Sequence, residues 1–223
     1  MHVARLFLLA LVLAVAGCGG GEDETATTEP PTTTAESSAT GSCQTVEAPQ
    51  PKPDGGQKPP AAALDTAKIY KLVVETNCGS FTIQLDQKSA PKTAASLVSL
   101  AESGFFDGTT FHRVVPGFVI QGGDPTGTGT GGPGYKTVDA PPAGTAYTEG
   151  VVAMAKAGSE APGTSGSQFF VVTGTDAGLP AEYAVVGKVT DGLATVLAID
   201  KLGVGDGPPS QPVVMEKVTV ESS

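Results

Sequence analysis

Tryptophan is missing from the 223 residues, histidine occurs twice, cysteine three times and aromatics make up only 5%. His2 precedes the N-terminal apolar run, which leaves His112 as the one histidine available to a folded domain. A Ser-His-Asp or Cys-His site would have to be built around it, and no His/Cys cluster with metal-ligand spacing accompanies it. No G-x-S-x-G elbow occurs either. His112 stands between Phe111 and Arg113 in a strand-like stretch, facing opposite to both, and reads as a core or turn residue donating a structural hydrogen bond. Positive charge is also scarce: 13 basic residues face 23 acidic ones, for a formal net charge of −10. No segment is basic enough to neutralise phosphates, which excludes nucleic acid as a partner.

Long apolar runs are absent too. The longest begins at Leu6 and ends at Ala16, too short to cross a bilayer as a helix but suited to a signal sequence. It leads into Val15-Ala16-Gly17-Cys18, which resembles a bacterial lipobox. That resemblance implies cleavage before Cys18 and acylation of its thiol, palmitate included, with two or more chains needed for stable anchoring. The alternative is an ordinary secretory signal with an incidental cysteine. The expected location is extracytoplasmic, on the bacterial cell membrane. Cys43 and Cys78 are then the remaining pair, and in an exported protein they can form a disulfide.

Three segments follow: a signal peptide over 1–17, a disordered Thr/Pro/Gly-rich tether over 18–65 and one folded domain over 66–223. From Gly19 to Asp65 there are eight acidic residues against Lys52 and Lys58, and hardly any large apolar ones. Such a stretch buries too little surface to offset its ordering entropy.

The domain reads as mainly β. Lys68–Thr76 and Ser80–Asp86 flank Asn77-Cys78-Gly79 as a hairpin. Further strands are expected at Thr110–Val115, Phe118–Gln121, Val151–Ala155, Gln168–Thr173, Ala184–Val189 and Val213–Glu221. One helix begins near Pro91, with Ala94, Leu97, Val98 and Ala101 on its apolar face, and stops at Gly104. A second covers Gly192–Lys201 with Asp191 as its N-cap. Eight strands with only two helices argue for a closed antiparallel barrel, since βαβ units need a helix between most strands.

Gly127-Thr-Gly129-Thr-Gly-Gly132 formally matches a dinucleotide loop. Pro125 before it and Pro133-Gly134 after it leave no room for the required helix. A mobile loop beside a groove suits it better, with Asp124 as a turn residue.

Two segments remain: Phe111-His-Arg-Val-Val-Pro-Gly-Phe-Val-Ile-Gln-Gly-Gly-Asp124, and Met154-Ala-Lys-Ala-Gly158 leading into Gly163-Thr-Ser-Gly-Ser-Gln-Phe-Phe170. Both resemble the signature regions of the cyclophilins, and with Gly129–Gly132 and Val186-Gly-Lys-Val189 the likeness covers nearly all of Lys68–Glu221. It implies an eight-stranded antiparallel barrel capped by two helices, and peptidyl-prolyl cis/trans isomerisation without metal or cofactor. By the same resemblance, Arg113 donates to the proline nitrogen of the twisted imide and Gln121 helps to position it. Phe118, Val119, Phe170 and Leu179 form the proline pocket. Ala155 and Lys156 pair with the substrate backbone, and Gln168 and Tyr183 complete the groove. Phe111 shares a strand face with Arg113, so that the arginine can lie over an apolar floor. Implied partners are proline-containing peptides or unfolded exported proteins, for a monomeric enzyme. The chain departs from the family's usual pattern at Gly178 (tryptophan), which implies weakened binding of cyclosporin-like macrocycles, and at Tyr183 (histidine), Val119 (methionine) and Lys156 (asparagine), which imply an altered peptide preference. Two rival functions are a non-catalytic binder of proline peptides and a tethered solute-binding lipoprotein, the latter expecting two α/β lobes and a longer chain.

Overall fold

A computed structural model describes residues 42–223; the signal segment, Cys18 and the first part of the tether lie outside the described residues. In chain order the elements are β1 (Tyr70–Thr76), β2 (Gly79–Leu85), α1 (Pro91–Glu102), β3 (Thr109–Thr110), β4 (Arg113–Val115), β5 (Val119–Gly122) and β6 (Thr137–Val138). They continue with β7 (Val151–Met154), β8 (Thr164–Ser165), β9 (Phe169–Val172), β10 (Val185–Asp191), α2 (Leu193–Asp200) and β11 (Val214–Ser222).

Nine strands form one curled antiparallel sheet in the order β3-β11-β1-β2-β10-β7-β9-β5-β4, and β6 pairs with β8 beside it. The mainly-β architecture with two helices is as expected, with two differences. The expected strand Thr110–Val115 is broken at Phe111-His112 into β3 and β4. Those halves are the two edges of the sheet, and across the seam an isolated bridge from Thr110 to Asp124, just beyond β5, stands in place of a continuous ladder. The break has a local cause. Phe111 turns its ring into the core, 6.2 Å from Phe169 and 6.3 Å from Phe81, and its N–H goes to the carbonyl of Val213.

Alternation along the strands separates two apolar clusters. Ile120, Val152, Met154, Phe169 and Val171 point into the main core, together with Phe81, Ile83 and Phe106. Their neighbours Val119, Ala153, Phe170 and Val172 point to the other face and pack with Tyr147. α1 covers the main core with Ala94, Leu97, Val98 and Ala101, all buried, and α2 adds Val196 and Ile199. Asp191 does not cap α2: it ends β10, and the N-cap is Gly192 at φ +72. A Cβ at Gly192 would lie 2.3 Å from the carbonyl oxygen of Ser80, so the close crossing of α2 over β2 leaves no room for a capping side chain.

Cys43 and Cys78 are joined in a disulfide. The described part of the expected tether is not free of the domain. Residues 43–57 run along it, with backbone N–H groups of Gln44, Lys52, Gly55 and Gln57 donating to the carbonyls of Asn77, Pro125, Gly132 and Pro133. The Lys52 ammonium donates to three carbonyls just beyond α1, those of Gly104, Phe105 and Asp107, at 3.1, 2.7 and 3.0 Å. Composition weighed the apolar surface that this strap lacks and missed its hydrogen bonds to the domain's backbone.

Candidate active site

Strand register sets four neighbouring side chains in a row. Arg113 on β4 is opposite Gln121 on β5, Gln121 is opposite Phe170 on β9, and Phe170 is opposite Ala153 on β7. Cross-strand partners share a face, so a guanidinium, an amide, a phenyl ring and a small residue line up outside the main core. Phe118, Leu179 and Tyr183 pack onto that face. The result is a cavity of about 230 Å³ lined by Arg113, Phe118, Val119, Gln121 and Ala155, with Lys156, Phe170, Leu179 and Tyr183 completing it.

Nine of the ten residues expected at the site therefore meet in one cavity. The tenth, Gln168, lies in an adjoining cavity of about 310 Å³ that shares Gln121, Ala155 and Lys156 and is rimmed by Gly129, Thr130 and Gly131. Phe111 is not the floor under the arginine. The break between β3 and β4 turns it into the core, and the Arg113 Cζ atom instead lies 5.9 Å from the centroid of the Phe118 ring.

The guanidinium is held from two sides. Its Nε and Nη2 donate to the two carboxylate oxygens of Asp206 at 2.5 and 3.1 Å, and Nη1 donates to Gln121 Oε1 at 3.3 Å. The hydrogen bonds and charge of Arg113 hold the Asp206 carboxyl below its ordinary pKa. Gln121 passes the chain on: its Nε2 donates to Gln168 Oε1 at 3.1 Å, and Gln168 Nε2 donates to the Gly131 carbonyl at 2.9 Å. No sequence signal marks Asp206, which stands between Gly205 and Gly207 and reads as a loop residue. It is brought to β4 because Val114 N–H donates to the Gly207 carbonyl.

Lys156 carries more than a backbone role. Its side chain is 2% exposed, and its ammonium pairs with Glu182 at 2.9 Å, donates to the Glu160 carbonyl at 3.1 Å and lies 5.5 Å from the Tyr183 ring centroid. Tyr183 is fixed by the fully buried Tyr147, whose hydroxyl donates to its carbonyl and accepts from its N–H.

Asp124 is more than a turn residue. Fully buried, its carboxylate accepts from the N–H groups of Thr126, Gly129 and Gly131 and from the Thr126 hydroxyl, and so gathers the Gly-rich loop around itself. Burial alone would raise its pKa, and these donors lower it instead. His112 does not make the expected structural hydrogen bond: neither ring nitrogen has a partner among the described residues. Burial lowers its pKa, against the pull of Asp124.

Residues 71–220 match the family model described as cyclophilin type peptidyl-prolyl cis-trans isomerase/CLD. The chain is 42% identical over 166 residues to peptidyl-prolyl cis-trans isomerase A of Mycobacterium tuberculosis, covering 66% of this chain and 90% of that one. It is 50% identical over 126 residues to peptidyl-prolyl cis-trans isomerase B of Bacillus subtilis, covering 56% and 84%. Among solved structures, a Cryptosporidium parvum cyclophilin type isomerase superposes with a TM-score of 0.63 at 31% identity, covering 70% of this chain and 99% of that one.

Proposed function

From a chain that belongs to the cyclophilin-type peptidyl-prolyl cis-trans isomerases, and is an enzyme of that class, we propose a route and a setting: Arg113 stabilises the twisted X-Pro imide, in proteins that fold outside the cytoplasmic membrane. The amide before proline resists rotation by about 18–20 kcal/mol because of its C–N double-bond character. Half-way through rotation that conjugation is lost and the proline nitrogen regains a lone pair. A catalyst has to bind this state better than either planar isomer. A guanidinium, charged at every working pH, donates to that lone pair, and the partial exclusion of water by an apolar pocket strengthens the bond.

One observation carries this reading: the Arg113 guanidinium is braced by Asp206 and Gln121 at the edge of a cavity whose apolar walls include Phe118, Val119, Phe170 and Leu179. The proline ring takes the apolar part, and the imide lies between it and the arginine. Each ~1.4 kcal/mol of selective stabilisation is worth about tenfold in rate. Replacing Arg113 with Ala in the full chain is expected to lower kcat by about a hundredfold or more, with peptide affinity changed far less. Equal loss of rate and affinity would mean that Arg113 binds the peptide without favouring its twisted imide.

The setting rests on Val15-Ala16-Gly17-Cys18 and on the Cys43–Cys78 disulfide, a bond that persists in oxidising compartments. Anchoring through an acylated Cys18 keeps the enzyme near chains emerging from the membrane. Cell fractionation checks this: the chain sediments with membranes, and Cys18→Ser releases it. A Cys18→Ser chain that still sediments would defeat the anchor.

A further inference from the structure

The strap at residues 43–57 precedes the stretch matched to the family, yet it holds the loop that rims the groove. Lys52 N–H donates to the Pro125 carbonyl, Gly55 N–H to that of Gly132 and Gln57 N–H to that of Pro133. In return the Gly132 N–H donates to Asp54 Oδ1 at 2.8 Å. Strap and loop pack closely: a Cβ built on Gly134 would lie 3.1 Å from both Gly55 Cα and Gly56 N.

The contact at Gly132 reaches the site directly. The N–H of Gly132 and the carbonyl of Gly131 are two ends of one planar peptide group. Asp54 holds the N–H end, and Gln168 Nε2 holds the carbonyl end at 2.9 Å. A carboxylate accepting from one end polarises the peptide and makes its carbonyl a better acceptor at the other. From Gln168 the chain of hydrogen bonds continues through Gln121 to Arg113. Gly129, Thr130 and Gly131 also rim the second cavity, next to the one that takes proline in the reading above.

We propose that Asp54 is a positioning residue of the substrate groove, acting through the Gly131–Gly132 peptide, so that the N-terminal strap sets how tightly the groove holds the residues flanking proline. This rests on the reading of the groove given under Proposed function. The strap itself is anchored at one end by the Cys43–Cys78 disulfide and in the middle by Lys52.

The test uses the full chain with Asp54→Ala, Asp54→Asn and Lys52→Met. Two probes are compared: a peptide extending several residues on both sides of its proline, and a blocked dipeptide ending in proline. Affinity is measured by calorimetry, kcat and KM by isomerisation, and melting in parallel. Asp54→Ala is expected to raise Kd and KM of the long peptide about three- to fivefold, as for the net loss of one ordinary hydrogen bond, and those of the dipeptide less than about twofold. Asp54→Asn keeps an acceptor oxygen and recovers most of the loss. Lys52→Met, which loosens the middle of the strap by removing the ammonium from three carbonyls and leaves Asp54 in place, reproduces the split. The proposal is overturned if the substitutions lower only the melting temperature, if both probes move together, or if Asn fails to rescue. A wild-type chain without isomerase activity would defeat the reading under Proposed function, and the calorimetric split would still decide this one.

Discussion

Arg113 has five N–H donors, of which Asp206 engages two and Gln121 one. What remains is aimed by what is already bound, and orientation to within tens of degrees separates a productive donor from a merely nearby charge. Asp206 is thus expected to act on rate through Arg113. Asp206→Ala should lower kcat about tenfold, as expected for a misaligned donor, and leave KM nearly unchanged. Since the Asp206 side chain is 67% exposed, the melting temperature should stay put, because an exposed ion pair contributes little to stability. Stopped-flow isomerisation beside a thermal melt checks both halves, and a drop in melting temperature without loss of rate contradicts this role. Arg113, Phe118 and Gln121 could be read from the sequence because they fall within one ungapped motif. Asp206 could not, since a lone carboxylate among glycines carries no mark of the arginine it will meet 93 positions away.

At the scale of elements, the features decided locally were legible. The hairpin of β1 and β2, the proline-led start of α1 and its apolar face all follow from turn chemistry and periodicity, and each is present within a residue or two. What escaped were features set by distant chain. β3 and β4 read as one strand because Thr110–Val115 has the right residue types throughout. The core's demand for Phe111 breaks it, and with it the alternation that would have put Phe111 beneath Arg113. β6 and β8 are two residues each, below what periodicity can detect. The N-cap of α2 went to Gly192 because the Ser80 carbonyl stands where a side chain would be. The strap went unseen because hydrogen bonds to backbone carbonyls leave no compositional trace.

For the molecule as a whole, acidification is the informative perturbation. The folded state holds both His112 and Asp124 below their ordinary pKa values, so over each window the unfolded chain binds more protons and stability is lost as pH falls. His112 is held down first by desolvation, with the Asp124 charge opposing it and the Arg113 charge adding to it. Its effect begins as pH drops below the ordinary histidine value of 6.5 and is complete once the folded form also takes the proton. Asp124 contributes stability above the ordinary carboxylate value of 3.8, and this is lost as pH falls through its lower folded value. Urea midpoints against pH should therefore decline in two stages, and Asp124→Asn should make the lower one shallower, with Asp86 and Glu160, also held below their ordinary values, supplying part of the rest. A single decline confined to the acid end would contradict the part assigned to His112.

The seam in the sheet has a consequence for the company this enzyme keeps. Its two borders are only two and three residues long and belong to one stretch of backbone, Thr109–Val115. A border that short gives a foreign strand almost nothing to zip against. An isomerase with borders this short presents little edge on which a strand from another chain could be recruited into an aggregate.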